Sequence, residues 1–292
     1  MKDSVQSFLK FLEVEKRYTE NTIAAYQNDL NQFYQHLQAD GEKKPESWAG
    51  VKKEVVISYI DGLKKSGDYA SSTVARKVAA IKSFFHFLVA EGDIKEDPTF
   101  TLDSPKVKKR LPKAMTPVEV ERLLKAPTKE SGSKGMRDMA LLEMLYASGM
   151  RVTELVSLDV PDIEMENNLG KVRVRSKRSG ARDREIPISN SALNVLRDYI
   201  KNGREQLLHD PEEQALFLNN RGQRLTRQGL WLIIKHYVEE VGISAEVTPH
   251  TLRHSFAAHK LSQGKSLQDI QKLLGHANIS TTQVYTHLSR EN

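Results

Sequence analysis

Three prolines, Pro98, Pro105 and Pro112, sit close enough together to forbid a continuous helix anywhere between residues 97 and 113. The same stretch carries Lys106, Lys108, Lys109, Arg110 and Lys113 with no acid among residues 106–113. A chain of 292 residues is long enough for two hydrophobic cores, and this is where it divides. The expected organisation is a helical domain over residues 1–102, a basic linker over 103–113 that can lie along a phosphate backbone, and a second domain over 114–292.

Before the break the apolar residues recur with helical spacing. Ile23, Tyr26, Leu30, Phe33, Tyr34 and Leu37 predict a helix over 19–37, with Gly41 as its stop. A second helix is expected from Ser71 or Ser72 through Val74, Val78, Ile81, Phe84, Phe85 and Leu88, ending before Gly92. Its other face is read as carrying Arg76, Lys77 and Lys82, candidates for contact with an anionic polymer. Roughly four helices around one apolar seam make a small bundle.

After the break, Thr116-Pro117-Val118-Glu119 supplies a capping hydroxyl, a proline at the first helical position and a glutamate three residues on. Helices are expected over 136–148, closed by Gly149, around 191–207 and 226–241, and from Thr248-Pro249 onward. Residues 171–175 and 184–188 read as two extended pieces joined by a loop with Gly180 at its tip. The fold class is therefore mainly α in two domains, the second holding a small antiparallel β-sheet.

The chain contains no cysteine, which excludes disulfide frameworks, zinc fingers and iron–sulfur sites. No Cys/His metal motif is present, in agreement with chemistry that needs neither a metal ion nor another cofactor. No apolar run approaches a membrane span and the first residues lack a signal-peptide core, so a cytoplasmic protein with no membrane partner is expected. The net charge of +6 is modest, but its placement is informative. Residues 171–184 hold Lys171, Arg173, Arg175, Lys177, Arg178, Arg182 and Arg184 against the single acid Asp183. Two such basic segments are the footprint of a nucleic-acid binder.

The last forty-odd residues place His250, Arg253, His276 and Tyr285 in quick succession. A phenol can attack a phosphodiester, a guanidinium can neutralise the phosphate, and imidazoles can move or position protons. His250 and Arg253 fall on the first turn of a helix capped by Thr248, three residues apart and so on one face. A helix capped by Ser266 and ended by Gly275 puts His276 just past its C-terminus, and Ser280 is read as the cap of a further short helix carrying Tyr285. Taken singly, each residue has a plainer reading. His276 would be a cation on a helix dipole, Tyr285 half-buried packing, Arg151 a surface partner of Glu154, and Lys177 part of a solvated turn.

Together they resemble something more specific. Ala147-Ser-Gly-Met-Arg-Val-Thr-Glu-Leu155, His250-Thr-Leu-Arg-His-Ser-Phe-Ala257 and Leu273-Leu-Gly-His-Ala-Asn-Ile-Ser-Thr-Thr-Gln-Val-Tyr-Thr-His287 resemble the three signature boxes of the tyrosine recombinases. They are most similar to the Xer type, which resolves chromosome dimers. Arg17-Tyr-Thr-Glu-Asn-Thr-Ile-Ala-Ala-Tyr26 and Ser72-Thr-Val-Ala-Arg-Lys-Val-Ala-Ala-Ile-Lys-Ser-Phe84 resemble the family's SAM-like core-DNA-binding domain.

The resemblance implies an enzyme that cuts and rejoins duplex DNA through a 3′-phosphotyrosyl link, without metal or ATP. Tyr285 matches the nucleophile, Arg151 and Arg253 the arginines on the scissile phosphate, and Lys177 the hairpin lysine that protonates the leaving 5′ oxygen. His250 would act as acid/base or orient Tyr285, and His276 would hydrogen-bond the phosphate. The hairpin is about two residues longer before Pro187 than in many relatives, so Arg178, Arg182 or Arg184 stay open as alternatives to Lys177. DNA contacts are expected from Arg76, Lys77, Lys82, Lys106, Lys108, Lys109, Arg110, Arg178, Arg182 and Arg184. The implied assembly is a tetramer on two DNA sites, of one chain or with a related recombinase, under a DNA translocase as regulator. Relatives carry a C-terminal helix that docks on a neighbouring protomer; here the sequence ends at Asn292, seven residues after Tyr285. The core-binding helices begin almost at Met1, which leaves no room for a separate arm-binding domain and favours the Xer role over that of a mobile-element integrase or transposase. An idle DNA-binding protein of this fold fits less well, because all six catalytic positions hold the required residue types.

Overall fold

A computed structural model describes residues 1–39, 44–103, 113–166, 169–175, 183–244 and 246–288. The chain forms two compact units, Met1–Lys109 and Arg110–Asn292. Most of the basic linker, with Lys106, Lys108, Lys109 and Arg110, lies outside the described residues, as do Lys177, Arg178 and Arg182. Among the described residues no helix is long and apolar enough to cross a membrane.

The first unit is a bundle of α1 (Lys2–Val14), α2 (Glu20–Ala39), α3 (Lys53–Lys65) and α4 (Ser71–Ala90). The apolar periodicity of α2 and α4 becomes their buried faces: Leu30, Phe33 and Leu37 meet Val78, Ile81, Phe84, Phe85 and Leu88. Trp48 closes this core edge-on to Phe84, at 4.7 Å between ring centroids, and its indole N–H donates to the Met1 carbonyl at 2.8 Å.

Lys77 departs from expectation, because it is only 1% exposed. Its ammonium donates to Asp29 Oδ1 at 3.0 Å and Gln32 Oε1 at 2.6 Å, and lies 5.0 Å from the Tyr69 ring centroid. Arg76 pairs with the other oxygen of the same Asp29 carboxylate. The reason is periodic: 74, 77, 78 and 81 share one helical face, so Lys77 belongs to the apolar side and its charge is answered there by a buried acid. It therefore ties α4 to α2 and is not presented to a phosphate backbone. Lys82 spends its charge locally too, donating to the Leu102 carbonyl at 2.6 Å.

The second unit opens with α5 (Pro117–Lys125), whose capping box between Thr116 and Glu119 forms as the sequence predicts. Then come α6 (Ser133–Ser148), α7 (Val152–Val156) and strands β1 (Ile163–Glu166), β2 (Leu169–Val174) and β3 (Arg184–Ile188). They make one antiparallel sheet in the order β1-β2-β3, with Val172 opposite both Ile163 and Ile186. Sequence reasoning missed β1, whose Ile-Glu-Met-Glu is short and half charged. Helices α8 (Asn190–Asp198) and α9 (Glu205–Leu207) flank a π-helical turn at Tyr199–Arg204, and α10 (Arg227–Glu240) follows. The chain ends in α11 (Pro249–Ser262), α12 (Leu267–Leu274), α13 (Ser280–Gln283) and α14 (Tyr285–Leu288). Ser280 is not the predicted cap: Ile279 holds that position, and Ser280 donates its backbone N–H to Asn278 Oδ1 at 3.0 Å. Tyr285 thus opens a separate turn.

Helix α11 is fixed to the start of its unit. Met115 donates its N–H to Ser255 Oγ at 2.8 Å, and its carbonyl accepts from His259 Nε2 at 3.0 Å. Since a carbonyl only accepts, the His259 proton is on Nε2, and its Nδ1 accepts a hydrogen bond from the Tyr146 hydroxyl at 2.8 Å. The helix that carries His250 and Arg253 is thereby held to both α6 and the chain's arrival in this unit.

Candidate active site

The last turn of α12 organises the site. Gly275, in the left-handed conformation at φ 62°, ends the helix and leaves its final carbonyls without helical partners. Three arginines from separate elements take them. Arg184, at the start of β3, donates Nε to Leu273 O at 3.1 Å. Arg253, on α11, donates Nη2 to Leu274 O at 2.8 Å. Arg151, before α7, donates Nη2 to Gly275 O at 3.3 Å. Cations at the negative end of a helix are favourable, so the helix pays back part of the repulsion among three guanidiniums.

Glu154 supplies the rest. It accepts both Nη atoms of Arg184, at 3.0 and 2.8 Å, together with Arg151 Nη1 at 3.0 Å and the Arg151 backbone N–H at 2.7 Å. Burial alone would raise its carboxyl pKa, but the hydrogen bonds and charges of Arg184 and Arg151 hold it below the usual range. The plain pairing of Arg151 with Glu154 is therefore present, and its effect is to aim the guanidinium.

Arg253 is 5% exposed. Burial, then the nearby Arg151, pulls its pKa down to about 10, so it stays charged at neutral pH. Its Nη1 donates to Gly149 O at 2.7 Å, and its Nη2 meets His276 Nε2 at 3.0 Å. A guanidinium has no lone pair to offer, so Nε2 is the acceptor and the His276 proton sits on Nδ1, which donates to Thr282 Oγ1 at 2.9 Å. Burial and the charges of Arg253, Arg151 and Arg184 drive the His276 pKa down to about 4. The dipole-capping cation of the plainer reading is thus excluded, because this imidazole is neutral.

Tyr285 is 3% exposed, packed with Phe256, Ala257, Ile270 and Leu274. Its ring stacks 6.3 Å from that of His276, at 15° between planes. Its hydroxyl lies 3.0 Å from His254 Nδ1. Burial raises the phenol pKa, while the charges of Arg253 and Arg151 act against that rise. His250 is exposed on the first turn of α11, its ring centroid 6.5 Å from that of His254. The imidazole that meets the phenol is therefore His254, which sequence reasoning passed over. Its only signal was position: it follows Arg253 directly and lies one turn after His250. Among the described residues, the structure brings together Arg151, Arg184, Arg253, His254, His276 and Tyr285.

An acidic oxygen centre fits this constellation, with guanidiniums to hold it and a phenol beside it. The comparisons with known proteins agree. The model of the phage integrase family matches residues 113–292, and that of its N-terminal SAM-like domain matches residues 5–92. The chain is 48% identical over 291 residues to the tyrosine recombinase XerC of Herpetosiphon aurantiacus, covering 100% of this chain and 92% of the relative. It is 41% identical to the tyrosine recombinase XerD of Halalkalibacterium halodurans, covering 99% and 94%. In fold it is similar to XerH site-specific recombinase bound to palindromic difH substrate, with a TM-score of 0.77 at 19% identity over 99% of this chain and 92% of that one. The chain belongs to the phage integrase family. Within it, the chain is a Xer-like tyrosine recombinase, an enzyme of DNA strand breakage and rejoining.

Proposed function

We propose that Tyr285 is the nucleophile of a site-specific recombination reaction on duplex DNA. The observation that carries the reading is that the charges of Arg151 and Arg253 both act on the Tyr285 phenol while the His276 ring stacks on it, Arg151 arriving from a segment more than 100 residues upstream of the other three. The Tyr285 oxygen bonds to phosphorus as the bond to the 5′ oxygen breaks, leaving a 3′-phosphotyrosyl link and a 5′-hydroxyl. Arg151 and Arg253 bind the non-bridging oxygens, where charge grows toward the transition state. Lys177 protonates the departing oxygen. His250 borders the site from the exposed first turn of α11. His276 contacts the phosphate once DNA charge favours a proton on Nε2, the atom that accepts from Arg253 in the free protein.

The basic linker and hairpin, with Lys106, Lys108, Lys109, Arg110, Arg178 and Arg182, supply backbone contacts. Arg76 on α4 keeps 40% of its side chain exposed and serves the same purpose. Arg184 acts through Glu154 on Arg151. Four protomers on two sites, in the cytoplasm, complete the Xer-type reading of chromosome-dimer resolution, with a DNA translocase as regulator.

The test is covalent trapping. A pool of nicked duplexes of random sequence is incubated with the full chain, and the DNA of covalent adducts is recovered and sequenced. Wild type should enrich one core sequence and carry its adduct on Tyr285 by peptide mass. Tyr285→Phe should bind the recovered duplex yet form no adduct. An adduct on another residue, or one persisting in Tyr285→Phe, overturns the assignment.

A further inference from the structure

His254 is the neighbour of the Tyr285 hydroxyl, at 3.0 Å from Nδ1, with ring centroids 5.4 Å apart. The distance is that of a hydrogen bond, and with Nδ1 unprotonated the phenol is its donor. Around the imidazole stand His250 and Arg253 on its own helix, Tyr285 on α14, and His276 after α12. No carboxylate faces it among these groups, so nothing there holds it protonated. Burial, then His250 and Arg253, lowers its pKa to about 4 in the free protein. A neutral imidazole can accept.

We propose that His254, through Nδ1, takes the Tyr285 proton as the phenol attacks phosphorus, and returns it when the strand is rejoined. This rests on the reading of Tyr285 as nucleophile. In cleavage the Oη–P bond forms, the P–O5′ bond breaks, and the Oη proton passes to Nδ1. The 5′ oxygen takes its own proton from the acid assigned to Lys177, so the two transfers use different groups. In rejoining, the 5′-hydroxyl attacks phosphorus and gives its proton back to the group assigned to Lys177, the Oη–P bond breaks, and the imidazolium protonates the departing phenolate. The growing negative charge of the pentacoordinate phosphate favours this imidazolium, which the free protein disfavours.

The same geometry divides labour between the two histidines of the His250-Thr-Leu-Arg-His254 turn. His250 stands exposed to solvent, while His254 is turned inward to the phenol.

The experiment measures single-turnover adduct formation against pH on the duplex recovered by trapping. The His254→Asn amide can still hydrogen-bond near the Nδ1 position but cannot carry the proton. It should bind DNA as wild type does, form adduct about 10²-fold more slowly or worse, and lose the acid limb of the wild-type profile. A wild-type rate with the limb intact overturns the proposal, since hydrogen bonding and packing alone would then suffice. Imidazole in solution should partly rescue His254→Ala. Independently of any variant, nitrogen-15 NMR of the wild-type chain at neutral pH should find Nδ1 of His254 unprotonated; a proton on Nδ1 overturns it. Adduct formation by Tyr285→Phe would instead undo the nucleophile reading, a separate signature.

Discussion

At the scale of single residues, the site balances three buried or half-buried guanidiniums with one carboxylate and two neutral imidazoles. That balance sets a pH dependence of stability with two windows. His254 and His276 are both pulled down to about 4 from an unfolded value near 6.5. Between those values the unfolded chain binds more protons than the folded one, so stability falls as pH drops from about 6.5 toward 4. Glu154 has the opposite charge type: its folded pKa lies below the unfolded one. Its contribution is complete above the ordinary carboxylate range near 4.3 and is lost as pH falls through the lower folded value. The expected outcome is a melting temperature that declines from pH 6.5 and declines again below about pH 4. His276→Asn, with an amide that can still accept from Arg253, should make the first decline shallower, His254 supplying what remains, and leave the second unchanged. Parallel curves for the two proteins between pH 7 and 5 would show that His276 is not held neutral by the arginines.

At the scale of elements, the site is built from helix ends. Carbonyls that α12 leaves unpaired hold three arginines, and the carbonyl of Gly149, just past α6, holds one of them again. Gly149 has φ 60°, and a Cβ there would stand 2.3 Å from Phe256 Cδ1. Gly149→Ala should therefore lower stability by about 2 kcal/mol or more, from backbone strain and the displaced ring together. Because Phe256 packs with Tyr285 and Gly149 anchors Arg253, adduct formation should fall further than lost stability explains; denaturant midpoints and adduct rates on one preparation measure both. Elements of this kind were readable in advance. Thr116, Thr248 and Ser266 cap where their sequences say they should, and Gly149 and Gly275 terminate where they stand, because caps are local chemistry. What stayed hidden depends on distant partners. Lys77 needed Asp29, 48 residues away, to become a buried cation. Glu154 needed Arg184, 30 residues away, to become the hub of two arginines. His254 needed Tyr285, 31 residues on, to be distinguished from any histidine on an amphipathic helix. Strand β1 has too few apolar residues to announce itself and exists because β2 pairs with it.

At the scale of the whole molecule, the cores are separate. One cluster draws only on residues up to Leu102, and the others only on residues from Ala114 onward. Each unit therefore has what it needs to fold alone. Every described side chain of the arginine–tyrosine site belongs to the second unit, so the chemistry and the first unit's contribution can be measured apart. A fragment of residues 113–292 should melt cooperatively and retain the near-ultraviolet signal of packed aromatic residues. If residues 1–112 lie along DNA, they release counterions that the fragment cannot. Affinity falls with salt on a log–log slope of about −0.9 for each phosphate neutralised. The full chain should thus show a distinctly steeper slope than the fragment on the same duplex, and charge removal at Lys106, Lys108, Lys109 and Arg110 should bring the two closer. Equal slopes would mean that the first unit and the linker neutralise no phosphates, and would confine DNA binding to the unit that carries Tyr285.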